Sequence, residues 1–310
     1  MGDLRADSMQ AVDDAGRGRV RPCRMLVLVN PNSRNGKENI HPILDRMRNA
    51  GLQLEVKSSL PPEALSKAII DSKDAVDGVV IGGGDGTINS AAQGLIKTKL
   101  PLGILPMGTA NDLARTLGIP PQLDVAADII IGGRTKTIDV GTVNDHVFFN
   151  VASLGLSTEV ARGLTQETKR RWGRVGYAVA AWRAMLSAKP FTAWISNDEE
   201  RVRVKTLQIA VGNGRHYGGG NVIEESAAID DGYLDLYSLE LKSLFQLALM
   251  LPAFRKGAHG SWNEVRTKRS AVFAIETRRP RPINADGELV TATPAHFHVQ
   301  RKAVTVFVPS

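Results

Sequence analysis

Residues 79–89 read Val-Val-Ile-Gly-Gly-Gly-Asp-Gly-Thr-Ile-Asn, an apolar run halted by four glycines around one aspartate. No other stretch constrains the fold as much, because a strand buried on both faces has to stop here and a helix has to start. Glycine carries no Cβ, so the chain can turn sharply and bring bare backbone N–H groups against a ligand. A helix opening near Thr87 points its positive end at the same spot. The result is a phosphate cradle without a lysine. Its one charged member, Asp85, repels a phosphate unless magnesium lies between them or the carboxylate takes up a proton. The stretch points to phosphoryl transfer with a metal. On the loop alone, a tight strand-to-helix turn with Asp85 as N-cap is the competing reading.

The same punctuation recurs on both sides. Met25-Leu-Val-Leu-Val29 is a buried-strand run that ends in Asn30-Pro-Asn-Ser-Arg-Asn-Gly-Lys37, and Leu102-Gly-Ile-Leu105 ends in Pro106-Met-Gly-Thr-Ala-Asn-Asp112. Between them the pattern predicts an amphipathic helix through Ile40, Ile43, Leu44 and Met47, a strand over 52–57 and a helix opened by Pro61-Pro62. A helix over 87–97 follows the cradle, and a short one runs to Leu117. This βαβα rhythm predicts a doubly wound α/β domain, whose ligand crevice lies at the carboxyl ends of the strands. The three polar loops are expected to converge there.

From about residue 137 the pattern changes to short alternating segments, 138–143, 147–153, 192–196, 202–212, 233–239, 271–276 and 303–308, which predicts a mainly antiparallel second domain. Two helical stretches interrupt it: 158–188 mixes apolar and aromatic residues with bases, and 243–254 is an apolar run that leads into Arg255 and Lys256. The full length of 310 residues suits two domains. Lysine and arginine outnumber acids 39 to 32, a balance that suits an anionic partner or simply a soluble surface. The lone Cys23 excludes an internal disulfide and fits a reducing compartment. His296 and His298 share a strand face without cysteine or carboxylate company, so no zinc site is expected. No apolar run reaches the length of a membrane span, and residues 1–21 carry no apolar core of a signal.

In order along the chain, Asn30-Pro-Asn-Ser, Gly83-Gly-Asp-Gly-Thr87, Pro106-Met-Gly-Thr-Ala-Asn-Asp112, Ile138-Asp-Val-Gly141, Asp230-Asp-Gly-Tyr-Leu234 and Asp286-Gly-Glu288 resemble the motifs of the diacylglycerol kinase catalytic-domain family, especially its soluble bacterial lipid kinases. The resemblance spans residues 24–308. It implies an N-terminal doubly wound α/β nucleotide-binding domain followed by an antiparallel β-rich domain, with the last strand returning to the first. In those terms residues 1–22 form a disordered lead-in, 23–142 with 297–310 the ATP-binding domain, and 143–296 the lipid-substrate domain. The resemblance also implies ATP, Mg2+ and a lipid hydroxyl acceptor reached by peripheral association with the cytoplasmic face of a membrane. Basic helices suit that surface. Nothing suggests a nucleic-acid partner, and a homodimer is left open. A kinase of a soluble metabolite, like the NAD kinases that share the Gly-Gly-Asp-Gly cradle, and a nucleotide-binding regulator without turnover are the alternatives.

Residue by residue, the resemblance makes Asn30, Pro31, Asn32, Ser33 and Arg34 an ATP-binding loop, with Arg34 standing where a small residue is frequent. It adds Ser58 or Ser59 after the second strand, the cradle Gly83, Gly84, Asp85, Gly86, Thr87, Ile88 and Asn89, and Thr109. Asp231, with the carbonyls of Ala228 and Tyr233, resembles a structural magnesium site to which Asp139 is linked through water. Asp-Asp-Gly is equally a turn sequence, and Asp139 equally a strand-end cap. Asp286 and Glu288 are two carboxylates one glycine apart that can sit in different surroundings, one as a base and one beside magnesium or a hydroxyl. The resemblance favours Glu288 as the base; the spacing does not choose among Asp85, Asp286 and Glu288. Asp286-Gly287 also reads as a type I′ hairpin turn.

Overall fold

The computed structural model describes residues 17–19, 23–31, 33, 40–156, 158, 189–213, 216–217, 221–222, 228–240 and 265–310. The chain divides into two compact units, Met1–Asp139 with Arg301–Ser310, and Val140–Gln300.

The first unit runs β1 (Arg17–Arg19), β2 (Arg24–Val29), α1 (His41–Asn49), β3 (Gln53–Ser58), α2 (Pro62–Asp71), β4 (Gly78–Gly83), α3 (Asp85–Thr98), β5 (Leu102–Pro106), α4 (Asp112–Thr116), α5 (Leu123–Gly132) and most of β6 (Arg134–Val143). Strands β5, β4, β2 and β3 lie side by side in parallel. The apolar runs of β2, β4 and β5 are buried nearly end to end, as strands covered on both faces must be. Register brings the carboxyl ends level: Val29 faces Ser58 on one side and Gly82 on the other, and Gly83 faces Pro106. Each polar loop therefore leaves the same edge of the sheet.

Two features of this unit escaped the sequence pattern. Helix α5 is not anticipated, because Asp-Val-Ala-Ala-Asp-Ile-Ile-Ile is dense in β-branched residues. Yet Ala126, Ala127 and Ile130 form one buried face, the helix packs on α1, and Gly133 ends it in the left-handed conformation at φ +71. Arg46 of α1 grips Asp128 of α5 through two 2.7 Å hydrogen bonds, which hold the Asp128 carboxyl below its usual range. Within the stretch expected to be a disordered lead-in, Arg17–Arg19 forms a short strand antiparallel to residues 134–136 of β6.

The second unit adds β7 (His146–Phe148), β8 (Val151–Gly155), β9 (Phe191–Ser196), β10 (Arg201–Thr206), β11 (Gln208–Gly212), the paired β12 (His216–Tyr217) and β13 (Asn221–Val222), β14 (Leu234–Leu239), β15 (Val265–Ser270), β16 (Val272–Thr277), β17 (Pro282–Ala285) and β18 (Glu288–Ala292). Strand β19 (Ala295–Phe307) starts in this unit and ends in the first. Here one sheet is β10-β9-β16-β19 and the other β15-β14-β11-β8-β17-β18, all paired antiparallel. Ile195, Phe273 and Phe297 of the first and Leu154, Val211 and Leu236 of the second belong to one buried cluster, the core of a two-layered β domain. The fold is thus α/β followed by a mainly antiparallel β unit.

Two predicted strands are each divided. Segment 202–212 becomes β10 and β11, in different sheets. The inward alternation Val202, Val204, Thr206 gives way at Leu207 to an unbroken buried run, and the Leu207 N–H turns to the Leu239 carbonyl. Segment 147–153 becomes β7 and β8, interrupted at Phe149-Asn150 by bonds described below. The last strand is longer than the predicted 303–308, and it is stitched where it kinks. Lys302 has φ +48, and its N–H donates to the buried Asp139 carboxylate at 2.7 Å. The helical stretches 158–188 and 243–254 lie outside the described residues, apart from residue 158. Among the described residues no helix is long and apolar enough to cross a membrane.

Candidate active site

In the first unit the three loops meet. Asn30 donates its N–H to the Gly82 carbonyl at 2.9 Å and its side-chain amide to the Thr87 hydroxyl at 3.1 Å, which ties the first loop to the cradle. Ser33 closes that first turn, its hydroxyl donating to the Asn30 carbonyl at 2.8 Å. On the other side the Met107 N–H donates to the Gly83 carbonyl at 2.9 Å. Gly84 and Gly108 then touch backbone to backbone: a Cβ on Gly108 would lie 2.5 Å from the Gly84 Cα, and one on Gly84 would lie 3.0 Å from the Gly108 Cα. Only a pair of glycines allows that approach. Asn111, at φ +51, locks the third loop by accepting the Gly108 N–H at 2.9 Å and donating to the Gly108 carbonyl at 3.1 Å.

Helix α3 opens at this junction with Gly84 as N-cap and no side-chain cap, which leaves its first N–H groups to a ligand. Asp85 is therefore not the cap; it is the first helical residue. Its carboxylate reaches across to accept the Leu113 N–H at 3.1 Å through Oδ1, while Oδ2 has no hydrogen bond among the described residues. Thr109 is exposed at the rim, and Ser58 ends the neighbouring strand, also exposed. Ile88 is buried in the core side of α3, so only its backbone belongs to the loop. Pro31 lies in the first turn, Gly86 and Asn89 in α3, and Asn32 and Arg34 lie outside the described residues.

In the second unit Asp286 and Gly287 form the two-residue turn between β17 and β18, with φ +46 and +98, the backbone of a type I′ hairpin. The Asp286 carboxylate is fully engaged. It accepts the N–H groups of Phe149 at 2.6 Å, Asn150 at 3.1 Å and Val151 at 3.0 Å, and those three donors are why β7 and β8 are separate strands. Glu288 follows the turn with its side chain exposed. One carboxylate is thus fastened to the backbone and its neighbour is presented to the outside, as the sequence allowed.

The remaining predicted metal residues are occupied by protein groups. Asp231 accepts the N–H of Ala228 at 3.2 Å and of Tyr233 at 2.9 Å, and pairs with the Arg269 guanidinium. Asp139 serves Lys302 of β19. Among the described residues no three His, Cys, Asp or Glu side chains are grouped as metal ligands. Sequence reasoning passed over Gly108, Asn111 and Asn150. A glycine and an asparagine three apart in one loop are a readable sign of left-handed backbone. Asn150, in a Phe-Phe-Asn-Val run, gives no such signal, although its buried amide oxygen has no hydrogen-bond partner among the described residues.

The chain thus pairs a glycine-lined α/β unit with an antiparallel β unit, and comparison with known proteins gives that pairing a family. Residues 24–143 match the diacylglycerol kinase catalytic domain, and residues 150–308 match the YegS C-terminal NAD kinase beta sandwich-like domain. The chain is 32% identical to a diacylglycerol kinase of Mycobacterium tuberculosis, over 92% of this chain and 95% of that one. It is 30% identical to a protein of Citrobacter koseri named "Probable lipid kinase YegS-like", over 93% and 96%. A diacylglycerol kinase structure from Bacillus anthracis shares the fold, with a TM-score of 0.80 at 24% identity over 94% of this chain and 99% of that one. The chain belongs to the diacylglycerol kinase and YegS-like lipid kinase family.

Proposed function

We infer that this chain is an ATP-dependent lipid kinase that transfers the γ-phosphoryl group to a hydroxyl of diacylglycerol or a related lipid at a membrane surface. The observation that carries the reading is the backbone contact of Gly84 with Gly108 beside the uncapped start of α3, a cradle that any Cβ would fill. Such transfer asks the protein for little covalent chemistry; it needs positioning, charge stabilisation and removal of one proton. The N–H groups at the start of α3 receive phosphate oxygens, and Asn30, Ser33 and Thr109 frame them with neutral polar groups.

Magnesium supplied with the nucleotide offsets phosphate charge. The residues fit it there: Asp85 offers a half-buried carboxylate with one oxygen anchored and the other open, as suits an ion that keeps most of its water and phosphate ligands. Glu288 is the general base that takes the acceptor's proton. Its exposure leaves the carboxylate accessible, and the neighbouring Asp286 holds the turn that presents it.

The test is transfer of label from γ-labelled ATP to vesicles containing diacylglycerol, monoacylglycerol or sphingoid base, with NAD as the soluble control. Label in a lipid supports the reading. Label in NAD without vesicles would make the chain a soluble-metabolite kinase, and ATP binding without ADP release on any acceptor would make it a regulator.

A further inference from the structure

The family resemblance places a structural magnesium ion at Asp231 with the carbonyls of Ala228 and Tyr233, and the donor set in this chain does not suit one. A magnesium ion takes near-octahedral oxygen donors at about 2.0–2.1 Å. Around the Asp231 carboxylate stand donors of protons instead: the Ala228 N–H on Oδ2, the Tyr233 N–H on Oδ1, and the Arg269 guanidinium on Oδ2. The Ala228 carbonyl is itself engaged, by the Asp231 N–H at 3.4 Å.

Arg269 arrives there by strand register. On β15 it stands directly opposite Asp235 of β14, so its side chain lies along the loop that leads into β14. Its Nε is 3.4 Å from the Asp235 carboxylate, its Nη2 meets Asp231, and its guanidinium sits 5.5 Å from the centre of the Tyr233 ring. One side chain thus meets two largely covered carboxylates and lies near the exposed Tyr233 ring. That is the work a dication would do in this loop. A guanidinium does it with fixed charge and a planar fork of donors matched to carboxylates.

We propose that Arg269 takes the place of a structural metal ion in loop 228–235. The loop then holds its shape without magnesium, and the protein's requirement for the ion is confined to the nucleotide. In the absence of nucleotide loop 228–235 then offers no saturable magnesium site, while activity with ATP keeps its dependence on the ion.

Thermal melting of the nucleotide-free protein tests this. The wild type is expected to melt at the same temperature, within about a degree, in EDTA and in millimolar Mg2+, because Arg269 already fills the place of an ion in this loop. Arg269→Met should melt lower in EDTA and gain a saturable rise with Mg2+ or Ca2+ as the two carboxylates become available. Adding Asp231→Asn to that variant should remove the rise. A saturable magnesium-induced rise in the wild type that Asp231→Asn abolishes overturns the proposal. So does an Arg269→Met protein that melts lower yet gains no response to either ion. If Arg269→Met does not fold, Arg269→Lys, which keeps the charge and loses the fork, is expected to melt lower than wild type, and the comparison of wild type with Asp231→Asn decides unaided.

Discussion

Replacing Asp286 by asparagine changes one oxygen for an amide nitrogen and tests whether this residue holds the turn between β17 and β18 or acts in the chemistry. In the wild type Oδ1 accepts from Asn150 and Val151 at 3.1 and 3.0 Å, and Oδ2 from Phe149 at 2.6 Å. Asparagine can keep its oxygen on the Asn150 and Val151 donors. Its NH2 then faces the Phe149 N–H, donor against donor, on a residue only 1% exposed. Hydrogen bonds to a charged acceptor contribute about 1.5–3 kcal/mol and neutral ones about 0.5–1.5. Losing one charged bond outright and weakening two others therefore sums to about 3 kcal/mol, after allowing for incomplete additivity. For a unit of this size that corresponds to a fall in melting temperature of roughly 6–12 °C. Differential scanning fluorimetry reads the shift directly, and urea unfolding followed by circular dichroism checks that it reflects stability. A folded Asp286→Asn protein melting within about 2 °C of wild type but devoid of turnover would refute the anchoring role and return Asp286 to the chemistry.

Gly108→Ala forces a Cβ to within 2.5 Å of the Gly84 Cα and 2.7 Å of the Asn111 Oδ1, so the two loops must part. ATP affinity is expected to fall by about tenfold or more with the fold intact, at a stability cost of about 1–3 kcal/mol. Fluorescent-nucleotide titration measures it, and unchanged affinity would mean that phosphate does not enter between these glycines. Glu288→Gln should lower kcat by about a hundredfold or more with ATP affinity little changed, since a lost general base costs on that scale. A kcat within a few-fold of wild type would move the base to Asp85 or Asp286. Arg46→Ala frees Asp128, whose carboxyl is held low chiefly by the Arg46 hydrogen bond. A depressed carboxyl stabilises above its unfolded range and loses that contribution as pH falls through its folded value. The variant and wild type should therefore differ by about a degree at neutral pH, as surface pairs do, and converge in acid.

Strands β2, β4 and β5 were legible because burial on both faces writes an unbroken apolar run, and the loops were legible because glycine and asparagine mark special backbone. Met25 to Val29 and Leu102 to Leu105 left little choice. What the pattern could not show was where a continuous apolar run changes partner. Residues 202–212 look like one strand, since nothing in local propensity distinguishes a residue that stays in its sheet from one that crosses to the other layer; Leu207 does so because the Leu239 carbonyl is there to receive its N–H. Residues 147–153 look continuous for the same reason, and the donors that break them are claimed by a carboxylate far along the chain. Side-chain roles followed the same divide. A string such as Asp-Asp-Gly-Tyr records that a carboxylate sits in a turn; whether a cation from metal or from protein meets it depends on Arg269, which no local motif contains.

The Asp286-Gly287-Glu288 motif sets side by side two carboxylates under different structural demands that sequence alone could not separate. A two-residue turn with both φ angles positive accepts few residue types, and Asp followed by Gly is among the best. The same aspartate fills a concave run of three N–H groups, so its identity is required twice, once by the backbone and once by the donors. Glu288 is subject to neither demand: it is exposed, it begins a strand, and turn chemistry would accept many residues in its place. A carboxylate that the fold does not need, set beside one that it does need, is the arrangement the proposed general base requires, and Glu288→Gln tests it. Register makes the pairing strict, because side chains alternate along a strand and moving the glutamate by one residue would send it to the opposite face of β18.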